Sequence, residues 1–183
     1  MLPEHHHDEQ VDERTAEHIE AFIDGPATPP KSRPSGLERD RRPIELETRQ
    51  DWTAALHHEG ARHARYGRPA SVLLIGLSGQ PHAAAVDRIA RTIANVIRAE
   101  ARETDRAVRT GALSFRLLLP ETSGRSARSL AERLDRAYVA DRNGRSDGVA
   151  LCVEVASPPR NTTLEDALGE AEVRFAARTE PAS

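Results

Sequence analysis

The amino-acid sequence predicts an α/β sandwich of ferredoxin-like type, and three observations lead there. Ser71-Val-Leu-Leu-Ile-Gly-Leu77 is a continuous apolar run, the pattern of a strand covered on both faces. His82 to Ala101 carries Val86, Ile89, Ile93 and Ile97 at helical spacing, so a long amphipathic helix follows that strand. Two further apolar segments, Ala107–Thr110 and Leu113–Leu119, adjoin across Gly111-Ala112, as the arms of a hairpin do. With the remaining elements the order is α-β-α-β-β-α-β-α, which closes a sheet with helices packed on it.

Taken in order, residues 1–24 form a tail with a short amphipathic helix. Val11, Thr15, Ile19, Phe22 and Ile23 recur at helical spacing, and Gly25-Pro26 stops the pattern. An isolated helix of this length is marginal in water, so docking back on its own domain or fraying is expected, with partner binding and dimerisation as the alternatives. Residues 25–43 combine proline, glycine and charge with little to bury, the composition of a flexible linker. The folded domain is expected over 44–179. It opens with a helix at 49–66 bearing Trp52, Leu56 and His63 near one face and ending at Gly67-Arg-Pro69.

The hairpin is expected to turn tightly, with Gly111 supplying the positive φ of a type II′ turn. A helix follows from about Ser123 to Asp141, capped by Thr122. Gly148 to Ala156 is the next strand. Thr162-Thr-Leu-Glu165 has capping-box spacing ahead of a last helix reaching about Arg178.

Composition narrows the function. With 26 basic and 29 acidic residues the formal charge is −3, too small a field to draw the chain onto nucleic acid or an anionic membrane. All the basic residues but Lys31 are arginine, which is the bias of a GC-rich genome and also a plentiful supply of planar donors for phosphate and guanine edges. The one cysteine, Cys152, lies in an apolar run and is expected to be a buried hydrophobe. The N-terminus has no basic and apolar leader, no stretch approaches membrane-spanning length, and a cytoplasmic location is expected.

Several familiar site patterns fail on spacing. His5-His-His7 lies in the tail beside no core, so adventitious metal binding is its expected chemistry. In His57-His-Glu-Gly-Ala-Arg-His63 the last histidine stands five residues after His58, not the four that a zinc-protease helix needs. Gly76-Leu-Ser-Gly79 lacks the second glycine of a nucleophile elbow, and no histidine follows His82 to complete a triad. Asn161-Thr-Thr163 has glycosylation spelling without a secretory setting. No catalytic residue and no metal site are expected.

The residues in Arg102-Glu-Thr-Asp105 and the hairpin letters Gly111-Ala-Leu-Ser-Phe115 resemble, at matching spacing, two motifs of the GGDEF (diguanylate cyclase) family. Leu46, Arg49 and Trp52 resemble the family's opening signature. Ala64-Arg-Tyr-Gly-Arg-Pro69 resembles its approach to the first strand, and Asp87 its helix-starting aspartate. Phe115-Arg-Leu-Leu-Leu-Pro-Glu-Thr122 and Leu130-Ala-Glu-Arg133 extend the similarity, which covers roughly residues 41–178. The resemblance implies a nucleotidyl cyclase-type fold with a central, mostly antiparallel sheet and flanking helices.

The same resemblance implies a degenerate active site. Family members hold two Mg²⁺ ions with carboxylates. Gly76 stands where the first strand should carry an aspartate, and Leu113 where the hairpin should carry Asp or Glu. Ser114 replaces a glutamate and Ala112 a glycine, while Gly111 is retained. The segment between Ser78 and Asp87 is shorter than the family's, and with it go the residues expected to read guanine. Neither an enzyme nor a cofactor is therefore expected. Arg102-x-x-Asp105 matches the site at which the family binds its product, the second messenger cyclic di-GMP. There the arginine donates to phosphate and guanine and the aspartate accepts from a guanine edge. Arg133 and Arg106 could complete such a site. The expected function is an inactive regulatory domain that binds cyclic di-GMP and a protein partner, with helix 11–24 as the candidate surface for the latter. The alternative is a dimerisation or scaffolding module that binds no nucleotide.

Overall fold

The computed structural model describes residues 44–142, 148–159 and 161–179. The helix expected at 11–24 and the linker at 25–43 lie outside them. The elements are β1 (Leu46–Glu47), α1 (Arg49–Tyr66), β2 (Ser71–Ser78), α2 (Val86–Glu100, led by a 3₁₀ turn at Ala83–Ala85), β3 (Arg106–Arg109), β4 (Phe115–Leu119), α3 (Gly124–Asp141), β5 (Ala150–Ala156) and α4 (Leu164–Thr179). The strands lie in the order β1-β3-β4-β2-β5. All pairs are antiparallel except β1 with β3, so the sheet is mostly antiparallel as expected.

The apolar run is β2, and its pairing explains its composition. It is flanked by β4, with Leu73 opposite Leu117, and by β5, with Ile75 opposite Val153. Alternate side chains enter different layers. Leu73, Ile75 and Leu77 join Ile89, Ile93, Ile97, Leu117 and Leu134 under α2 and α3. Val72 and Leu74 join Trp52, Leu56, Leu118, Leu164 and Leu168 under α1 and α4. Both faces are dry, so period-two alternation of polar and apolar residues disappears from the strand.

The helix ends follow local chemistry, with shifts from the expected residues. Thr48 caps α1 by accepting from the Asp51 N–H at 3.1 Å, and Gly67, at φ +63°, closes it. The cap of α3 is Ser123, which accepts from the Ser126 N–H; Thr122 instead donates to the Pro120 carbonyl at 2.9 Å. Thr163 rather than Thr162 caps α4, accepting from the Asp166 N–H at 3.0 Å. Each shift is one residue along a run of hydroxyl-bearing neighbours, any of which has the chemistry of a cap.

The hairpin departs from the expected two-residue turn. Its register pairs Arg109 with Phe115, leaving Thr110–Ser114 as a wider loop. Gly111 does not have positive φ, which a II′ turn requires. The amides of Thr110 and Gly111 both donate to the Ser114 carbonyl, at 2.8 and 3.2 Å. The Arg109 side chain donates to the carbonyls of Gly111 and Ala112, and Arg49 of α1 reaches the Thr110 carbonyl. Three loop carbonyls are thus satisfied by guanidinium groups.

Candidate ligand-binding site

Helix α2 ends at Glu100, and the chain turns through Arg102–Asp105 into β3. The turn closes by reciprocal bonds. The Asp105 N–H donates to the Arg102 carbonyl at 3.0 Å, and the Arg102 N–H donates to Asp105 Oδ2 at 2.7 Å. Asp105 is 5% exposed. Burial raises its pKa, against the opposing Arg102 N–H and the charges of Arg102 and Arg133.

The Arg102 side chain, by contrast, is exposed and lines a cavity of about 580 Å³ between this turn and α1. That volume is within the roughly 300–1,000 Å³ of small-ligand clefts. Arg106 and Arg62 line it too, with Glu59 and Glu121. Arg62 donates to Glu59 Oε2 and to Glu121 Oε1, at 3.0 Å each, and Arg106 donates to Glu47 of β1 at 2.6 Å. Of the three arginines, Arg102 alone has a guanidinium that donates no hydrogen bond to a described residue.

The four residues expected to bind ligand therefore divide. Arg102 and Arg106 share the cavity. Asp105 is not among its lining residues and ties the turn instead. Arg133 lies on α3, where its Nε donates to Glu100 Oε2 at 2.9 Å. Its charge is felt at Asp105, but it does not line the cavity.

The other expected positions lie apart from this cavity. Gly76 of β2 is covered by the Phe175 ring of α4: a Cβ built on Gly76 would stand 2.6 Å from Phe175 Cζ. Leu113 folds against the core beneath α2 and α3. Ala112 is exposed at the loop tip, and Gly111 packs near Ser114. Ser114 lines a second cavity, about 510 Å³, with Arg49, Trp52, Phe115, Arg116 and Phe175. Arg116 stands over the Trp52 ring at 5.7 Å and pairs with Glu172. Among the described residues no group of three or more His, Cys, Asp and Glu side chains is arranged to hold a metal ion. No described helix is long and apolar enough to cross a membrane.

Glu59 and Arg62 escaped the sequence reading. Trp52, Leu56, Glu59 and His63 recur at spacings of four, three and four and are all buried. A carboxylate standing inside an otherwise inward-facing stripe was the signal that could have found the cavity wall.

No protein-family model matches the sequence, and no curated protein matches it. Solved structures do. The active GGEEF domain of a diguanylate cyclase from Vibrio cholerae is similar at 19% identity and a TM-score of 0.62, over 73% of this chain and 90% of that one. The GGDEF domain of DgcB from Caulobacter crescentus, in complex with c-di-GMP, is similar at 16% identity and a TM-score of 0.59, over 77% and 91%. Diguanylate cyclase SiaD from Pseudomonas aeruginosa, in complex with its activator SiaC, is similar at 22% identity and a TM-score of 0.55. That likeness covers 73% of this chain, which spans 55% of the SiaD chain. What these likenesses carry is the fold: the described residues adopt the architecture of GGDEF diguanylate cyclase domains.

Proposed function

We propose that this chain is a catalytically inactive GGDEF-fold domain that binds cyclic di-GMP through Arg102 and acts as a cytoplasmic regulatory adaptor. The observation that carries the reading is the state of Arg102. Its guanidinium is exposed, donates to no described residue and lines a cavity of ligand size beside Arg106. A planar donor so presented suits a phosphate or a guanine edge, and the bis-phosphate ring of a cyclic dinucleotide offers both. Arg106 adds charge in the same cavity. Asp105 holds the turn that aims Arg102, and Arg133 balances the Asp105 charge from α3. The DgcB structure, similar in fold, holds c-di-GMP.

Inactivity rests on residue identity and on packing. Neither Gly76 nor Leu113 has a side-chain carboxylate to offer Mg²⁺, and the space above Gly76 holds the Phe175 ring. The N-terminal 43 residues would carry the partner-binding role.

A second reading has one observation in its favour. Asp105 is committed to the Arg102 N–H, so half of the motif is occupied with structure rather than ligand. On that reading the fold serves dimerisation or scaffolding without nucleotide.

Calorimetry of the full chain with cyclic di-GMP separates the two. Binding that Arg102→Ala removes, with unfolding temperature nearly unchanged, supports the first. Absence of both heat and thermal shift at tens of micromolar sinks it. Incubation with GTP and Mg²⁺ should yield no cyclic di-GMP; any product would overturn inactivity.

A further inference from the structure

We propose that Glu59 is the acceptor that makes the Arg102 cavity selective for guanine, taking up the N1–H and 2-amino donors of the base. The inference rests on the reading of that cavity as a cyclic dinucleotide site.

Three observations carry it. First, Glu59 is only 4% exposed, yet it is among the residues that line the cavity with Arg102. Second, the carboxylate is half satisfied. Oε2 accepts from Arg62 at 3.0 Å, whereas Oε1 is buried with no hydrogen-bond partner. A buried carboxylate oxygen without a donor is costly, and folded chains keep few of them. Third, the acceptor expected from spacing, Asp105, already receives the Arg102 N–H and does not line the cavity.

The chemistry then selects the ligand edge. An ionised carboxylate only accepts, through two oxygens that match two adjacent donors in parallel bonds. Guanine presents such a pair at N1 and its exocyclic 2-amino group. Adenine presents an acceptor at N1, which a carboxylate repels. The last torsion of a glutamate side chain is broad, so a modest turn brings Oε1 from its buried seat towards the cavity. Arg62 limits the excursion, because it grips Glu59 and Glu121 together. Arg102 would then hold phosphate while Glu59 reads the base, separating affinity from specificity.

The test is calorimetry of the full chain with cyclic di-GMP, cyclic di-IMP, which lacks the 2-amino group, and cyclic di-AMP. Wild type should favour cyclic di-GMP over the other two by roughly tenfold or more, the order expected of a paired base contact. Glu59→Gln should weaken cyclic di-GMP binding by a similar factor and leave cyclic di-AMP nearly unchanged. Arg102→Ala should weaken all three alike. If Glu59→Gln does not fold, Glu59→Asp keeps the charge but withdraws it by one carbon, and it should shrink the guanine preference. Equal affinity for all three ligands, or an unchanged preference in either Glu59 variant, overturns the role of Glu59 and leaves the Arg102 site standing. No binding of any of the three overturns both.

Discussion

Phe175 of α4 lies over Gly76 of β2, its Cζ 2.6 Å from the place a Cβ on residue 76 would occupy. The pair is a knob and a hole. Glycine leaves the strand surface bare, and the ring fills it from the opposite layer. Gly76→Ala should therefore push the ring outward and cost about 1–3 kcal/mol, the usual range for overpacking. Phe175→Ala should remove most of that penalty. Urea unfolding of the two single variants and the double variant measures the coupling; strict additivity would show that the ring does not depend on the bare strand.

The Arg102–Asp105 turn predicts a stability effect separable from binding. Asp105→Ala leaves the Arg102 N–H without its acceptor and should destabilise by roughly 1–3 kcal/mol. Asp105→Asn retains an acceptor oxygen and should cost less. Chemical denaturation of both variants checks the order; a milder loss in Asp105→Ala than in Asp105→Asn would contradict it.

The same carboxyl predicts a pH trend. Burial raises the folded-state pKa of Asp105 above its ordinary 3.8. Between the two values the folded chain holds a proton that the unfolded chain has released, so stability from this group declines with rising pH. It is fully present below the ordinary value and lost as pH rises through the raised one. Relative to wild type, Asp105→Asn should therefore gain ground as pH rises through this acidic range. Denaturation curves across the range decide it, and a widening deficit for Asp105→Asn would reverse the sign.

Glu121 predicts the opposite trend. Hydrogen bonding and charge from Arg68, then from Arg62, lower its pKa from the ordinary 4.5. Its contribution is present above that value and lost as pH falls through the lowered one. The side chain is about half exposed, so added salt should erode the contribution as well. Glu121 also sits at φ +49°, where glycine is at ease. Glu121→Gly should be more stable than Glu121→Ala at every pH. A thermal-unfolding series in pH and salt tests all three statements; an alanine variant as stable as the glycine one would remove the backbone argument.

Cys152 is 2% exposed, and burial pushes its thiol pKa up. The folded chain should resist a thiol reagent at neutral pH and react fully once unfolded in denaturant. Prompt labelling of the native chain would show that β5 opens readily.

Secondary structure and core were legible because they follow from periodicity. The unbroken apolar run of β2 marks burial on two faces whatever packs there, and the spacing of Ile89, Ile93 and Ile97 marks one helix face. Strand β1 was not legible, since two residues give no period to read. The hairpin loop is wider than its letters suggest because Gly111 permits a tight turn without requiring one, and the arginines that hold the wider loop act across it and from α1.

The site divides along the same line. Its sequence alone determined that positions 76 and 113 carry no carboxylate, and that Arg102 and Asp105 stand one turn apart. Only the tertiary structure decided where those side chains point: Asp105 inward to its own turn, Arg102 outward to a cavity. It also brought Glu59 from α1 to the wall of that cavity and laid Phe175 from α4 over Gly76. Spacing within a segment fixes which residues share a face. Which faces meet is settled by packing among segments far apart in the chain, and no local pattern records it.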